Sequence, residues 1–222
     1  MTDQARSSPV GFFHFPGLAH FLVVLIVTSL EIVGLMGWLA VATGKGLDSV
    51  FGNLAILSSL NQLDQFIPTI GRARFASIFL GFFLLMEHII AQMDQTGRGI
   101  SGREFTEILS FTSLEAVIWT VWLLLIPVNG VLAIVFFLGS LFVEHQITDN
   151  VKKGLPFLHF ARLDGKLFRG LVLFTIFEVV GAVVWVAQGR LIALALGSTL
   201  EHYVARNVGQ ITEKDELRSS TQ

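Results

Sequence analysis

Six long apolar runs divide the chain, and they limit its fold more than any other feature. They are residues 17–43, 73–95, 105–126, 130–148, 168–188 and 190–207. A helix of roughly 20 apolar residues spans the hydrocarbon core of a bilayer. Only 14% of the residues are charged and 53% are hydrophobic, whereas soluble domains carry about 25% charged residues. The sequence therefore predicts an all-α integral membrane protein with about six transmembrane helices.

Turn-forming residues join these runs into helical hairpins. Residues 127–130 and 188–190 are turn signals, each between two runs. The first two runs are joined by a longer segment, in which residues 47–67 have apolar side chains at helical spacing, a pattern typical of an amphipathic helix at the membrane interface. The expected organisation is an interfacial segment at 1–16, a six-helix domain at 17–207 with hairpins at 17–95, 105–148 and 168–207, and a polar tail at 208–222.

The distribution of basic residues predicts the orientation. If both termini lie on one side of the membrane, that side holds eleven of the 15 lysines and arginines, and the other side holds four. The more basic side of a membrane protein is the cytoplasmic one. We therefore expect cytoplasmic termini and a plasma-membrane location. The net charge of −2 with no basic block excludes a nucleic-acid partner, and the lack of cysteine excludes disulfides and thiolate metal sites.

The first helix of each hairpin carries the same pattern, Thr-x-x-Glu-x6-Trp. Its three copies are Thr28, Glu31 and Trp38; Thr112, Glu115 and Trp122; and Thr175, Glu178 and Trp185. Offsets of −3, 0 and +7 place the three side chains on one helical face. The tryptophans fall toward one end of each run, where they are interpreted as an aromatic belt at the membrane interface.

The second helix of each hairpin carries a Glu-His pair. The pairs are Glu87 and His88, Glu144 and His145, and Glu201 and His202. The glycines that precede them, Gly81, Gly139 and Gly197, are expected to be helix packing contacts. In the two short hairpins the glutamates lie about equally far from the turn, so antiparallel helices bring them to one level. The sequence thus predicts three repeated hairpins in a pseudo-threefold bundle with one layer of glutamates and histidines.

Such a layer has to face the protein interior or water. One ionisable residue at the centre of a span costs about 2.5–3.5 kcal/mol on the insertion scale. Six close carboxylates also require protons, imidazolium or bound cations to balance their charge. Carboxylate and neutral imidazole are the ligands of Fe, Mn and Zn. We therefore predict one metal site, with a divalent transition metal (Fe, Mn or Zn) as cofactor, formed by Glu31, Glu87, His88, Glu115, Glu144, His145, Glu178, Glu201 and His202.

The ligand pattern differs from that of known di-metal bundles. Carboxylate-bridged di-metal four-helix bundles use Glu-x-x-His, with both side chains on one face. Here glutamate and histidine are adjacent, about 100° apart around the helix. If the glutamate points to the bundle axis, the histidine points toward a neighbouring helix. There it either ligates a metal between hairpins or supports a ligand.

Three functions fit this layer. The first is a membrane-embedded metalloprotein, such as an oxidoreductase with a di- or trinuclear Fe or Mn centre. The second is a channel or transporter for protons or divalent cations, because intramembrane acidic residues and histidines form proton relays and ion pathways. The third is a binding protein for haem or a chlorophyll-type pigment. Besides the lipid bilayer, a second copy of the chain and a redox partner remain open as partners.

Overall fold

A computed structural model of the chain describes residues 18–43, 72–152 and 165–219. In these ranges it forms six α-helices and no strand: α1 (Leu18–Thr43), α2 (Arg72–Thr96), α3 (Gly102–Leu125), α4 (Gly130–Lys152), α5 (Gly165–Gln188) and α6 (Leu191–Ser219). The prediction of an all-α membrane protein is confirmed. The amphipathic helix expected at 47–67 and the segment 1–16 lie outside the described residues.

Five of the six helices are long and apolar enough to cross a membrane. Their apolar spans cover 21 to 24 residues each, and large apolar side chains such as Ile78, Val131 and Ile192 are exposed on the outside of the bundle, as a lipid-facing surface requires. The apolar part of α6 is shorter, Leu191–Ala205, because charged residues follow from Arg206 onward. The helix itself continues to Ser219, through much of the segment expected to be a polar tail. That α6 is a sixth span stays a prediction.

The helices form a closed ring in chain order. Each helix packs against its neighbours in the sequence, and α6 closes the ring against α1. The turn between α2 and α3 lies at one end of the bundle, where α1 and α5 also begin; we call this the α2–α3 end. The turns that follow α3 and α5 lie at the opposite end, the α3–α4 end.

One apolar cluster fills the interior between the predicted glutamate layer and the α3–α4 end. It includes buried residues from all six helices, among them Leu35, Leu80, Trp119, Phe137, Ala182 and Leu194. On every helix these residues lie on the α3–α4 side of the glutamate. We refer to its aromatic members, Trp38, Trp119, Trp122, Phe137 and Trp185, as the aromatic core.

The expectation of a tryptophan belt is therefore wrong. The four tryptophans are 0–4% exposed. The ring centroids of Trp122 and Phe137 stack at 4.3 Å, and Trp119 makes edge contacts with Trp38 and Trp122. The physical reason is the +7 offset, which places each repeat tryptophan on the same helical face as its glutamate. A face that turns the glutamate inward also turns the tryptophan inward.

Glycine allows close helix packing at one of the three predicted positions. A Cβ atom on Gly197 would lie 2.5 Å from the carbonyl oxygen of Phe177 and 2.9 Å from the Cα of Gly181, so α5 and α6 meet backbone to backbone. At Gly81 a Cβ would reach only Ala116, at an ordinary 3.7 Å, and at Gly139 it would meet nothing within 4 Å. The packing role is correct for Gly197 and wrong for Gly139.

Candidate metal site

A cavity of about 140 Å³ lies inside the ring, next to the aromatic core. All nine residues singled out in the sequence line it: Glu31, Glu87, His88, Glu115, Glu144, His145, Glu178, Glu201 and His202. Five of the glutamates are only 1–6% exposed, and Glu201 is partly exposed. The structure thus brings these side chains together around one space, which we call the Glu/His cavity, and turns none of them toward lipid.

Each histidine lies between two hairpins. It approaches the glutamate of the Thr-x-x-Glu pattern on the next helix around the ring. The nitrogen-to-oxygen distances are 3.9 Å for His88 and Glu115, 3.3 Å for His145 and Glu178, and 3.7 Å for His202 and Glu31. The same contact therefore occurs on α2 and α3, on α4 and α5, and on α6 and α1. This is the position that the offset of about 100° between adjacent residues predicts.

Two of the histidines are held by the backbone of their own helix. Nδ1 of His88 lies 2.9 Å from the carbonyl oxygen of Leu84, and Nδ1 of His202 lies 2.9 Å from that of Ser198. A carbonyl oxygen only accepts hydrogen bonds, so Nδ1 carries the hydrogen in both rings. Nε2 is the nitrogen that faces the cavity, and in His202 its contact of 2.9 Å with a carboxylate oxygen of Glu87 requires a proton or a metal ion between the two atoms.

The third histidine reaches the same state through a threonine on the neighbouring helix. Nδ1 of His145 lies 2.8 Å from Oγ1 of Thr175. Because the Thr175 hydroxyl donates its hydrogen to the carbonyl of Leu171, 2.8 Å away, its oxygen accepts from His145. This ring therefore also carries its hydrogen on Nδ1.

All three Nε2 atoms face carboxylates. Their shortest distances are 2.9 Å from His202 to Glu87, 3.3 Å from His145 to Glu178 and 3.9 Å from His88 to Glu115. A histidine that binds a metal through one nitrogen usually donates the other N–H to a carbonyl, carboxylate or other acceptor, which fixes the ring. The three rings have that arrangement.

The closest set of possible ligands lies where α1 meets α6. Glu31, Glu201 and His202 each offer one ligand atom, and these atoms lie within 4.8 Å of one another, close enough to hold a metal ion. Nδ1 of His202, which carries the hydrogen of the ring, is 3.0 Å from Oε2 of Glu201. An ion held by this set would therefore use Nε2, which lies 2.9 Å from a carboxylate oxygen of Glu87 on α2.

One buried carboxylate oxygen in the cavity lacks a partner. Glu178 is 3% exposed, and within the described part of the chain its Oε2 atom accepts no hydrogen bond. Among the described residues that line the cavity there is no lysine or arginine. The six carboxylates therefore depend on protons, on the histidines or on bound cations for charge balance. A buried oxygen of this kind is a ready ligand for a cation.

Several supporting side chains were missed in the sequence. The Ser198 hydroxyl donates to Glu31, and the Thr148 hydroxyl donates to Glu144 at 2.6 Å. Ser198 lies four residues before His202, and Thr148 four residues after Glu144, a spacing that places each pair on one helical face. A search for hydroxyls at that spacing finds both.

The two threonines of the second and third repeat copies donate to the helix backbone. Thr112 donates to the carbonyl of Ile108 at 2.9 Å, and Thr175 to that of Leu171. What the sequence did not indicate is that Thr175 also holds the histidine of the neighbouring hairpin.

Comparison with known proteins does not identify the chain. No protein-family model, no curated protein and no solved structure matches it. The function has to be inferred from the geometry of the Glu/His cavity.

Proposed function

We propose that the chain is a membrane-embedded metalloprotein that binds divalent transition-metal ions in the Glu/His cavity. We further propose that a di- or trinuclear Fe or Mn centre there serves an oxidoreductase. The observation that carries the proposal is the state of the three histidines. Each holds its hydrogen on Nδ1 and faces carboxylates with Nε2, inside one cavity lined by six glutamates.

The charge of the glutamates supports more than one ion. Six ionised glutamates carry a charge of −6 and three neutral imidazoles add none, without counting the two aspartates that also line the cavity, Asp94 and Asp149. Three divalent ions balance this charge, and two leave two negative charges for protons. Oxygen ligands with imidazole suit Fe, Mn and Zn, and the absence of cysteine removes the soft sulfur ligands that favour Cu(I).

The aromatic core favours a resident metal over a continuous pore. Residues from all six helices fill the bundle directly beside the carboxylates, and Trp119, Phe137 and Leu194 are 0% exposed. Protein interiors packed in this way have few voids larger than a water molecule. An ion that enters the cavity meets this packing before it reaches the α3–α4 end. A bound centre needs no such passage, whereas a channel or transporter does.

The test is the metal content of the detergent-purified protein, measured by mass spectrometry. The wild type is compared with Glu144→Ala/His145→Ala, which removes one Glu-His pair, and with Glu107→Gln. Glu107 lies outside the cavity lining and pairs with Arg103 at 2.8 Å on the surface of α3, so it is the matched control. We expect a stoichiometric metal in the wild type and in the control, and a loss of metal in the double variant.

The measured metal then distinguishes an oxidoreductase from a transporter. Bound Fe or Mn that changes oxidation state, followed by electron paramagnetic resonance under a reductant and under air, supports the oxidoreductase. Metal content at background level in the wild type overturns the metalloprotein. In that case a proton or divalent-cation flux in liposomes would assign the cavity to transport.

A further inference from the structure

We infer that metal ions reach the Glu/His cavity from the α2–α3 end of the bundle, past Asp94 and Asp149, and that the aromatic core closes the cavity toward the opposite end. This inference rests on the proposed function for its cargo. The access route itself is a property of the bundle and is testable without metal.

On the side that faces the α3–α4 end, the aromatic core closes the cavity directly beside the carboxylates. Trp119 lies one helical turn beyond Glu115, and Phe137 lies two turns before Glu144, both on the α3–α4 side. The ring centroids of Trp119 and Phe137 are 4.7 Å apart, and both side chains are 0% exposed. Because these rings come from neighbouring helices and Trp119 also contacts Trp38 of α1, the three rings fill the interior across the bundle.

On the side that faces the α2–α3 end, the cavity lining continues beyond the carboxylates. Ala91, Asp94, Asp149 and Ala205 line the same cavity and are partly exposed. Asp94 follows Glu87 by seven residues and Asp149 follows Glu144 by five, which places them roughly 10 Å and 8 Å further toward the α2–α3 end. The side chains of the histidines, on the same side as these residues, are 12–16% exposed, whereas those of five of the glutamates are 1–7% exposed and that of Glu201 is 13% exposed. Most of the exposed lining thus lies on the side of the inferred entrance.

The two aspartates give this route a preference for cations. They lie on α2 and α4, whereas the lining on α1 and α5 at the same level is apolar, with Val23, Val24 and Leu171. Carboxylates in a cleft with apolar walls concentrate cations and raise their association rate. An ion therefore meets Asp94 or Asp149 first and the glutamates next.

The lack of cysteine in the chain makes the route directly measurable. Single cysteines are placed at Ala91, on the inferred route, and at Ala133, which is 0% exposed in the apolar cluster. The variants are reconstituted in liposomes with a tag at the N-terminus that reports orientation, and are treated with a membrane-impermeant cationic thiol reagent. We expect Ala91→Cys to react from the side of the N-terminus and Ala133→Cys to react from neither side. Reaction of Ala91→Cys only from the opposite side, or from neither side, overturns the route.

The role of the aspartates is tested by the rate of metal loading. Metal-depleted wild type, Asp94→Asn/Asp149→Asn and the control Glu107→Gln are mixed with Mn²⁺, and uptake is followed in time. We expect the aspartate variant to load about tenfold more slowly and to reach the same final stoichiometry as the control. An unchanged rate overturns the role of the aspartates. A wild type that takes up no Mn²⁺ or other metal overturns the proposed function instead, and the cysteine labelling still decides the route.

Discussion

Nε2 of His145 lies 3.3 Å from Oε2 of Glu178, across the boundary between the second and third hairpins. The other nitrogen of the same ring donates to Thr175, three residues before that glutamate. One face of α5 therefore lies against both ring nitrogens of the histidine of α4: Nδ1 donates to Thr175, and Nε2 faces a carboxylate oxygen that accepts no hydrogen bond within the described residues. The threonine and the glutamate of the Thr-x-x-Glu pattern on α5 thus contact a histidine of the neighbouring helix α4.

This relationship predicts an effect of a threonine that does not ligate metal itself. Thr175→Val keeps the size of the side chain and removes the acceptor for Nδ1 of His145. We expect the metal affinity to fall by about 10- to 100-fold, as for other partners of ligating histidines, while the free energy of unfolding changes little. Competition with a chelator of known affinity measures the difference.

The matched control is Thr112→Val. Thr112 occupies the equivalent position in the second repeat copy, but within the described part of the chain its hydroxyl bonds only to carbonyls of its own helix, and Nδ1 of His88 is held by the carbonyl of Leu84 instead. We expect Thr112→Val to leave the metal affinity unchanged. Equal losses in the two variants would mean that the threonines act through the helix backbone and not through the histidine.

Much of the site could be predicted because ionisable residues inside a membrane have few options. Glutamates and histidines that recur at matching distances from two turns have to face a common interior, since exposure to lipid is too costly. The offset between Glu144 and His145 then directs the histidine to a neighbouring helix. These arguments use only helical geometry and the bilayer; all nine residues line the Glu/His cavity, and that they form one metal site stays a prediction.

The rest depends on which helices become neighbours. A pseudo-threefold bundle implies that the last hairpin meets the first, but nothing in the sequence states that α6, and not α5, is the helix next to α1. The contact between His202 and Glu31 could therefore not be predicted. The tryptophans were misplaced for a different reason: an aromatic residue near the end of a span is favourable both at the interface and in a packed core. The +7 offset from an inward-facing glutamate favours the core for Trp38 and Trp122, so the sequence itself holds the information that distinguishes the two.

The three histidines are not equivalent in their surroundings, and this predicts an order of effects. Nitrogen atoms of His202 lie 2.9 Å from Glu87 and 3.0 Å from Glu201. Nitrogen atoms of His88 lie 3.7 Å from Glu87 and 3.9 Å from Glu115. We expect His202→Ala to lower the metal affinity more than His88→Ala, with a loss of about 100-fold or more for His202, the upper range for a supporting partner.

Metal analysis together with chelator competition on both variants measures this order. Both substitutions remove the same imidazole from the same cavity, so each serves as the control for the other. A greater loss in His88→Ala would place the main ion between α2 and α3 and not at the junction of α1 and α6.

The aromatic core predicts a difference between two buried tryptophans. Nε1 of Trp38 donates to Thr120 at 3.1 Å, whereas Nε1 of Trp119 has no hydrogen-bond partner within the described ranges. Replacement by phenylalanine removes similar apolar volume in both cases, but only Trp38→Phe also loses a hydrogen bond. We expect Trp38→Phe to lower the free energy of unfolding by about 1 kcal/mol more than Trp119→Phe.

Thermal or denaturant unfolding in detergent, followed by circular dichroism, measures this difference. The metal content of both variants should match that of the wild type, because neither residue lines the cavity. If Trp119→Phe is the more damaging variant, the indole N–H of Trp119 has a partner that matters for stability.

The glycines give a final prediction about the joint between α5 and α6. A Cβ at position 197 would come within 2.5 Å of a backbone oxygen and 2.9 Å of the Cα of Gly181, and no side chain can rotate away to relieve the contact. Gly197→Ala therefore has to separate the two helices, at a cost of about 1–3 kcal/mol in the free energy of unfolding. Because Gly197 lies one turn before Glu201, we also expect a loss of bound metal.

Gly139→Ala is the control, since its Cβ meets nothing within 4 Å, and it should leave stability unchanged or raise it by up to about 1 kcal/mol through higher helix propensity. Equal unfolding temperatures for the two variants would show that the backbone contact between α5 and α6 does not limit stability.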